Sequence, residues 1–234
     1  MTCLGSKHPL HLLFHQLDSA FGDLDWWPAD NAYEVIIGAI LTQNTAWTNV
    51  ETALANLKRA TTLSPQAIVA LAREELELLI TPAGFFRQKA RYLHGITTYL
   101  LDEYAGDVIR LCHGPLEEAR KRLLELTGIG PETADSILLY AANRPSFVVD
   151  AYTRRILIRL NMLQGKETYN AIREQFMTAL PADALLFNQY HALIVHHAKT
   201  FCRKQAPLCG ACPLLSRCPY GQQGGVETDG RGTQ

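Results

Sequence analysis

With 234 residues the chain can bury a core in one large domain or two small ones, and 47% hydrophobic with 19% charged residues excludes global disorder. A net charge of −1 excludes attraction to nucleic acid by overall charge, so such a partner would have to meet a local basic patch. No segment approaches the roughly 18 apolar residues of a membrane span, and MTCLGSKHPLHLLFHQL lacks a secretory pattern, so the expectation is a soluble, cytoplasmic protein with no membrane partner.

The N-terminal stretch leads into Trp26-Trp27-Pro28, which with Trp47 holds every tryptophan in the chain. Such residues either pack in a core or form a wall on which a planar ring stacks. NAYEVIIGAILTQNTAWTNVETALANL has helical spacing with a polar break at TQNT. SPQAIVALAREELELLI reads as a helix capped by Ser64 with Pro65 in its first turn. FRQKARYLHGITTYLLDEYAG reads as a helix ending on Gly106, and GPLEEARKRLLEL again has proline in its first turn. PETADSILLYAAN and DALLFNQYHALIVHHAKTFC are two more. Only SFVVD looks strand-like, and it is too short to need a sheet, so the fold class is all-α. Residues 222–234 are Gly-rich and polar and read as a disordered tail. The basic clusters Lys58-Arg59, Arg87/Lys89/Arg91, Arg120-Lys121-Arg122, Arg154-Arg155 and Arg203-Lys204 read equally as phosphate contacts or as solvated helix faces.

Two stretches carry chemistry. LTGIGPETAD reads as helix end, turn and helix start, with Gly128 and Gly130 permitting backbone angles that a Cβ would penalise. Its amides and the following helix start would suit a phosphate, although a plain helical corner needs the same glycines. Four of the six cysteines, Cys202, Cys209, Cys212 and Cys218, fall in seventeen residues with the spacing C-x6-C-x2-C-x5-C. In a cytosolic chain that crowding reads as ligation of zinc or an iron–sulfur cluster, and ligand type alone does not decide between them.

LTGIGPETAD followed by a helix and VVD resembles the helix-hairpin-helix and Asp signature of the endonuclease III superfamily of DNA glycosylases. The resemblance covers roughly residues 20–220 and implies two helical domains flanking a DNA-binding groove. A helical barrel module with the helix-hairpin-helix would span 31–142, and an iron–sulfur cluster domain would join 1–30 to 143–221. It makes Thr127, Gly128, Ile129, Gly130 and Thr133 the DNA-binding hairpin, with an alkali cation expected there. Asp150 becomes the catalytic carboxylate that faces the sugar of a flipped nucleotide, besides capping the helix AYTRRIL. The cysteines match the family's [4Fe–4S] loop, which would present Arg203 and Lys204 to phosphate. ILTQNT resembles the family's L-x-x-Q-x-T turn, so Gln43 would fill the gap left by the flipped base. PAGFFRQKARYL resembles a segment that makes Phe85 an intercalating wedge and Lys89 a DNA contact.

Departures narrow the reading. Bifunctional members carry a lysine where this chain has Glu132, and a carboxylate cannot form the Schiff base that leads to strand cleavage. The adenine-mismatch branch has a glutamate where Ala39 stands, and the thymine-mismatch branch has a tyrosine at the Glu132 position. The chain is most similar to the 3-methyladenine branch, whose base pocket maps onto Trp26, Trp27, Pro28, Trp47 and Lys199, although that branch lacks the cluster cysteines. The expectation is a monofunctional, monomeric DNA glycosylase of base excision repair that acts on an alkylated purine in double-stranded DNA. The rivals are a T·G/U·G mismatch or oxidised-pyrimidine glycosylase and a non-catalytic DNA clamp.

Overall fold

The computed structural model describes residues 8–24, 26 and 29–225. Among them every regular element is helical and no strand is present. In chain order they are α1 (Pro9–Phe21), α2 (Ala32–Leu41), α3 (Trp47–Ala60), α4 (Pro65–Ala70), α5 (Arg73–Leu79), α6 (Phe86–Tyr104) and α7 (Val108–Leu111). There follow α8 (Leu116–Leu124), α9 (Pro131–Ser136), α10 (Ala151–Arg159), α11 (Tyr169–Ala179), α12 (Ala184–Thr200) and α13 (Pro219–Gln222). The starts follow side-chain chemistry: Asn31, Ser64, Asp107, Asp150, Thr168 and Asp183 each accept a hydrogen bond from a first-turn amide.

Three expectations are corrected. SPQAIVALAREELELLI is two helices, because Leu71 and Ala72 are extended between α4 and α5. SFVVD is not a strand; it is an extended link into α10 with no ladder partner. The tail does not begin at 222, because Gln222 closes α13 and the Gly225 amide donates to the Tyr220 carbonyl at 3.0 Å. Residues 226–234 lie outside the described residues.

The chain divides into two compact units, Trp27–Ser146 and the remainder. In the first, α2 is buried on nearly every side, with Ile36, Ile37, Ile40 and Leu41 fully buried, and so serves as the central helix. The faces of α3, α6 and α8 that carry Val50, Leu57, Leu93, Leu100 and Leu123 complete that core. One buried ion pair joins its last helices: Arg120 holds Asp135 by two bonds of 2.9 and 3.1 Å, and Ser146 Oγ donates to the same carboxylate at 2.5 Å. Hence Arg120, read from sequence within a basic cluster, is a core residue.

In the second unit, Phe147 stacks on Phe176 at 3.7 Å and meets Phe187 and Tyr190 edge-on. Tyr190 in turn donates to the Leu10 carbonyl at 2.8 Å, which ties α1 to α12. Val148 and Val149 are also buried. The apolar run before Asp150 is therefore an anchor that places the carboxylate.

Candidate active site

Asp150 is the N-cap of α10. Its Oδ1 accepts from the Thr153 amide at 2.7 Å and the Thr153 hydroxyl at 2.9 Å, while Oδ2 stands 3.5 Å from His191 Nε2 on α12. Burial alone would raise the carboxyl. The neighbouring His191 and the Thr153 donors outweigh it and hold Asp150 below the usual carboxylate range, so it is an anion at neutral pH. Its side chain keeps 12% exposure, and Oδ2 is the oxygen with fewer bonds.

His191 also meets the Trp26 ring edge-on at 6.3 Å, and Lys199 Nζ lies 5.8 Å from that ring's centre. The Trp26 indole N–H is buried and has no partner among the described residues. Gln189, on the same helix, fixes the approach to Trp26 by bonding the Leu24 amide at 3.1 Å and the Gly22 carbonyl at 2.8 Å. The structure thus gathers Asp150, His191, Trp26 and Lys199 in one unit. Trp27 and Pro28 lie outside the described residues. Trp47 belongs to the other unit, where it opens α3, half-buried against the core.

The hairpin lies between α8 and α9. Gly128 has φ of 88°, and a Cβ there would stand 2.2 Å from the Tyr92 ring. Gly130 is different: its φ is −87°, and a Cβ would meet nothing within 4 Å. The backbone does not require glycine at 130, which corrects that part of the expectation. Ile129 is 5% exposed and Thr133 6%, so both anchor the hairpin rather than project from it. Gln43 Nε2 donates to the Gly128 carbonyl at 2.9 Å and to Thr133 Oγ1 at 3.0 Å, joining the TQNT turn to the hairpin. Phe85 is left-handed (φ 47°) and 67% exposed. Lys89 corrects the sequence reading: it is 2% exposed and bonds two carbonyls, so it has no path to a phosphate in this conformation.

Cys202, Cys209, Cys212 and Cys218 line one pocket, together with Ile156, Arg159, His197 and Tyr220. Arg159 Nη1 lies 3.3 Å from Cys202 Sγ and 2.8 Å from the Arg203 carbonyl, and its guanidinium covers the Tyr220 ring at 4.3 Å. The Gly221 amide donates to Cys218 Sγ at 3.4 Å, and His197 Nε2 stands 3.7 Å from Cys212 Sγ. Burial pushes the Cys212 and Cys218 thiols up and pushes His197 down to about 4. Four sulfurs around one pocket, with N–H donors aimed at them, fit an iron–sulfur centre. Among the described residues, no three His, Cys, Asp or Glu side chains gather closely enough for a single metal ion. Arg203 and Lys204 are exposed on the loop.

Sequence reasoning missed His191 and Arg159. Each is a polar residue among apolar neighbours on its helix, in YHALIV and ILIRL. That signal marks a buried partner but does not name it.

A family profile described as the HhH-GPD superfamily of base excision DNA repair proteins matches residues 37–182. A protein of Methanocaldococcus jannaschii, provisionally named a DNA repair glycosylase, is 44% identical over 211 residues, which are 89% of this chain and 95% of the relative. A non-covalent endonuclease III–DNA complex superposes with a TM-score of 0.79 over 92% of this chain and 95% of that one, at 24% identity, a likeness of fold. A Helicobacter pylori 3-methyladenine DNA glycosylase bound to 1,N6-ethenoadenine superposes with a TM-score of 0.66 over 80% of this chain and 96% of that one, at 25% identity.

Proposed function

Because the chain belongs to the HhH-GPD superfamily of base excision DNA repair proteins and is on that ground a DNA glycosylase, we propose that it is monofunctional and excises an alkylated purine from double-stranded DNA. The observation that carries the reading is the Asp150–His191–Trp26 cluster, in which His191 meets an anionic carboxylate on one side and an aromatic ring on the other.

Breaking an N-glycosidic bond builds positive charge on the deoxyribose, and a carboxylate within reach stabilises that oxocarbenium-like state. Asp150 is prepared for this by being ionised and held: Thr153 holds Oδ1, and Oδ2, with His191 3.5 Å away, is the oxygen proposed to serve the sugar. A 3-methylated purine is already cationic and leaves without strong acid catalysis. Trp26 is the proposed stacking wall. The resemblance adds Trp27, Pro28 and Trp47 to the base pocket. The hairpin with Gly128 and Gly130 would hold the phosphate backbone, with an alkali cation at the helix-hairpin-helix, while Gln43 and Phe85 would enter the duplex. An exposed aromatic held at positive φ supports the wedge assignment of Phe85.

Cys202, Cys209, Cys212 and Cys218 would hold a [4Fe–4S] cluster, which supplies cross-linking of the loop that presents Arg203 and Lys204. Glu132 at the position of the family's Schiff-base lysine supports the absence of lyase activity. A second reading has one specific observation behind it. The Lys199 ammonium beside Trp26 is tolerated better by a neutral base than by a cationic one, which favours a T·G or U·G mismatch substrate.

Single-turnover base release from methylated duplex, with T·G and U·G duplexes in parallel and Asp150→Asn as control, tests these readings. Release of 3-methyladenine with strands intact until alkali is added is the expected result. Release from mismatches only would move the substrate to the second reading. A borohydride-trapped adduct would overturn the monofunctional assignment, and its loss in Lys199→Met would identify the nucleophile.

A further inference from the structure

Lys89 sits in the first turn of α6 with its ammonium buried, donating to the Leu41 carbonyl at 2.7 Å and the Ala83 carbonyl at 2.9 Å. Leu41 ends α2, two residues before Gln43. Ala83 closes a 3-10 turn two residues before Phe85. One side chain therefore bonds the bases of both turns that carry the proposed DNA-inserting residues.

The arrangement is costly, because an ammonium is taken out of water for two neutral carbonyls. Burial pushes Lys89 down to about 8, so it remains mostly charged at neutral pH. Core filling does not need such a group, since an apolar side chain of similar volume is often as stable. Two neighbouring features share the same helix. Phe85 keeps its left-handed backbone at the start of α6, where its carbonyl accepts from the Gln88 and Lys89 amides, both at 3.0 Å. One turn later, Tyr92 fills the space that a Cβ on Gly128 would occupy, and Gln43 bonds the Gly128 carbonyl. The TQNT turn, the Phe85 turn and the hairpin all lean on the first two turns of α6.

We propose that Lys89 is a positioning residue, whose ammonium locks the Gln43 turn and the Phe85 turn into one preformed element so that both side chains enter the duplex together. This rests on the reading of Gln43 and Phe85 as insertion residues of a glycosylase. With the lock in place, the two turns need not be ordered separately when the nucleotide is extruded. The effect belongs to the unstacking step and leaves the electrostatic grip on undamaged phosphates largely unchanged.

The test uses the full chain and a duplex with 2-aminopurine beside a stable abasic-site analogue, whose fluorescence rises on unstacking. Lys89→Met keeps the length and removes the donors. The expected result is loss of most of the fluorescence rise and a fall of about tenfold or more in single-turnover base release. Affinity for undamaged duplex should stay within about twofold, and in a Gln43→Ala/Phe85→Ala background Lys89→Met should have no further effect. Equal losses in both backgrounds would mean a merely structural lysine and would overturn the proposal. If melting shows Lys89→Met to be unfolded at the assay temperature, Lys89→Gln is read by the same criteria. Should Gln43→Ala and Phe85→Ala leave the fluorescence of the Lys89-containing protein unchanged, the insertion reading falls and takes the proposal with it. If they abolish it while Lys89→Met does not, the assignment of Lys89 alone fails.

Discussion

Asp150 combines two tasks in one side chain, starting a helix and presenting a charge: burial would raise its carboxyl, and His191 with the Thr153 donors holds it below the usual range. The sign of the pH dependence follows. Asp150 is depressed in the folded state, so its contribution to stability is complete above the ordinary carboxylate range. It fades once the unfolded chain begins to bind the proton, and it is gone when the pH has fallen through the lower folded value. Replacing His191 by Leu removes a neighbour that favours the anion. The acid limb of the pH profile for base release should then move to higher pH, and an unmoved limb would remove His191 from the account. The two hairpin glycines make a second residue-scale contrast. Gly128→Ala meets both positive φ and the Tyr92 ring, so it should cost at least about 1–2 kcal/mol, read as a lowered Tm. Gly130→Ala meets neither, so its Tm should hold while duplex affinity falls if the open space is where the DNA backbone lies. An unchanged affinity would make Gly130 an ordinary corner residue.

Among the elements, α10 links the proposed chemistry to the cysteine loop. Asp150 caps its first turn. Arg155 bonds the Cys202 carbonyl at 2.8 Å, and Arg159 reaches the Cys202 thiol and the carbonyls of Arg203 and Lys204. From sequence, Arg154-Arg155 read as either a DNA patch or a solvated face. Arg155 is neither, because the loop's carbonyls have no helix or sheet to satisfy them and take the guanidinium instead. Arg159→Leu leaves those acceptors unpaired and should lower stability by roughly 1.5–3 kcal/mol. The same variant should purify with less iron per chain and weaker visible absorbance. Full iron content would show that the cysteines alone order the loop.

At the scale of the molecule, the proposed function makes binding and bond cleavage separable. Asparagine caps a helix as well as aspartate does, so Asp150→Asn should stay folded, losing only the stabilisation that the anion draws from His191, and should keep its affinity for lesion-containing duplex. On the proposed role of Asp150, base release should fall by about a hundredfold or more, because the charge that would stabilise the sugar cation is gone. A variant that still released base at the parental rate would place the catalytic group elsewhere. A parent chain that released nothing from any lesion would leave only the DNA-binding clamp.

The sequence by itself determined the helical class, the helix starts at Ser64 and Asp150, the hairpin, and the family signature. Each of these is written in short-range spacing, where periodicity and capping act within one or two turns. The placement of polar side chains was decided only by tertiary structure. Lys89, Arg120, Arg155 and Arg159 are identical in type to surface cations, yet each is turned inward to a carbonyl, thiol or carboxylate far away in the chain. His191 lies 41 residues beyond the carboxylate that it faces. Such pairs form because a buried polar group must find a partner, and which partner is near depends on how the helices pack.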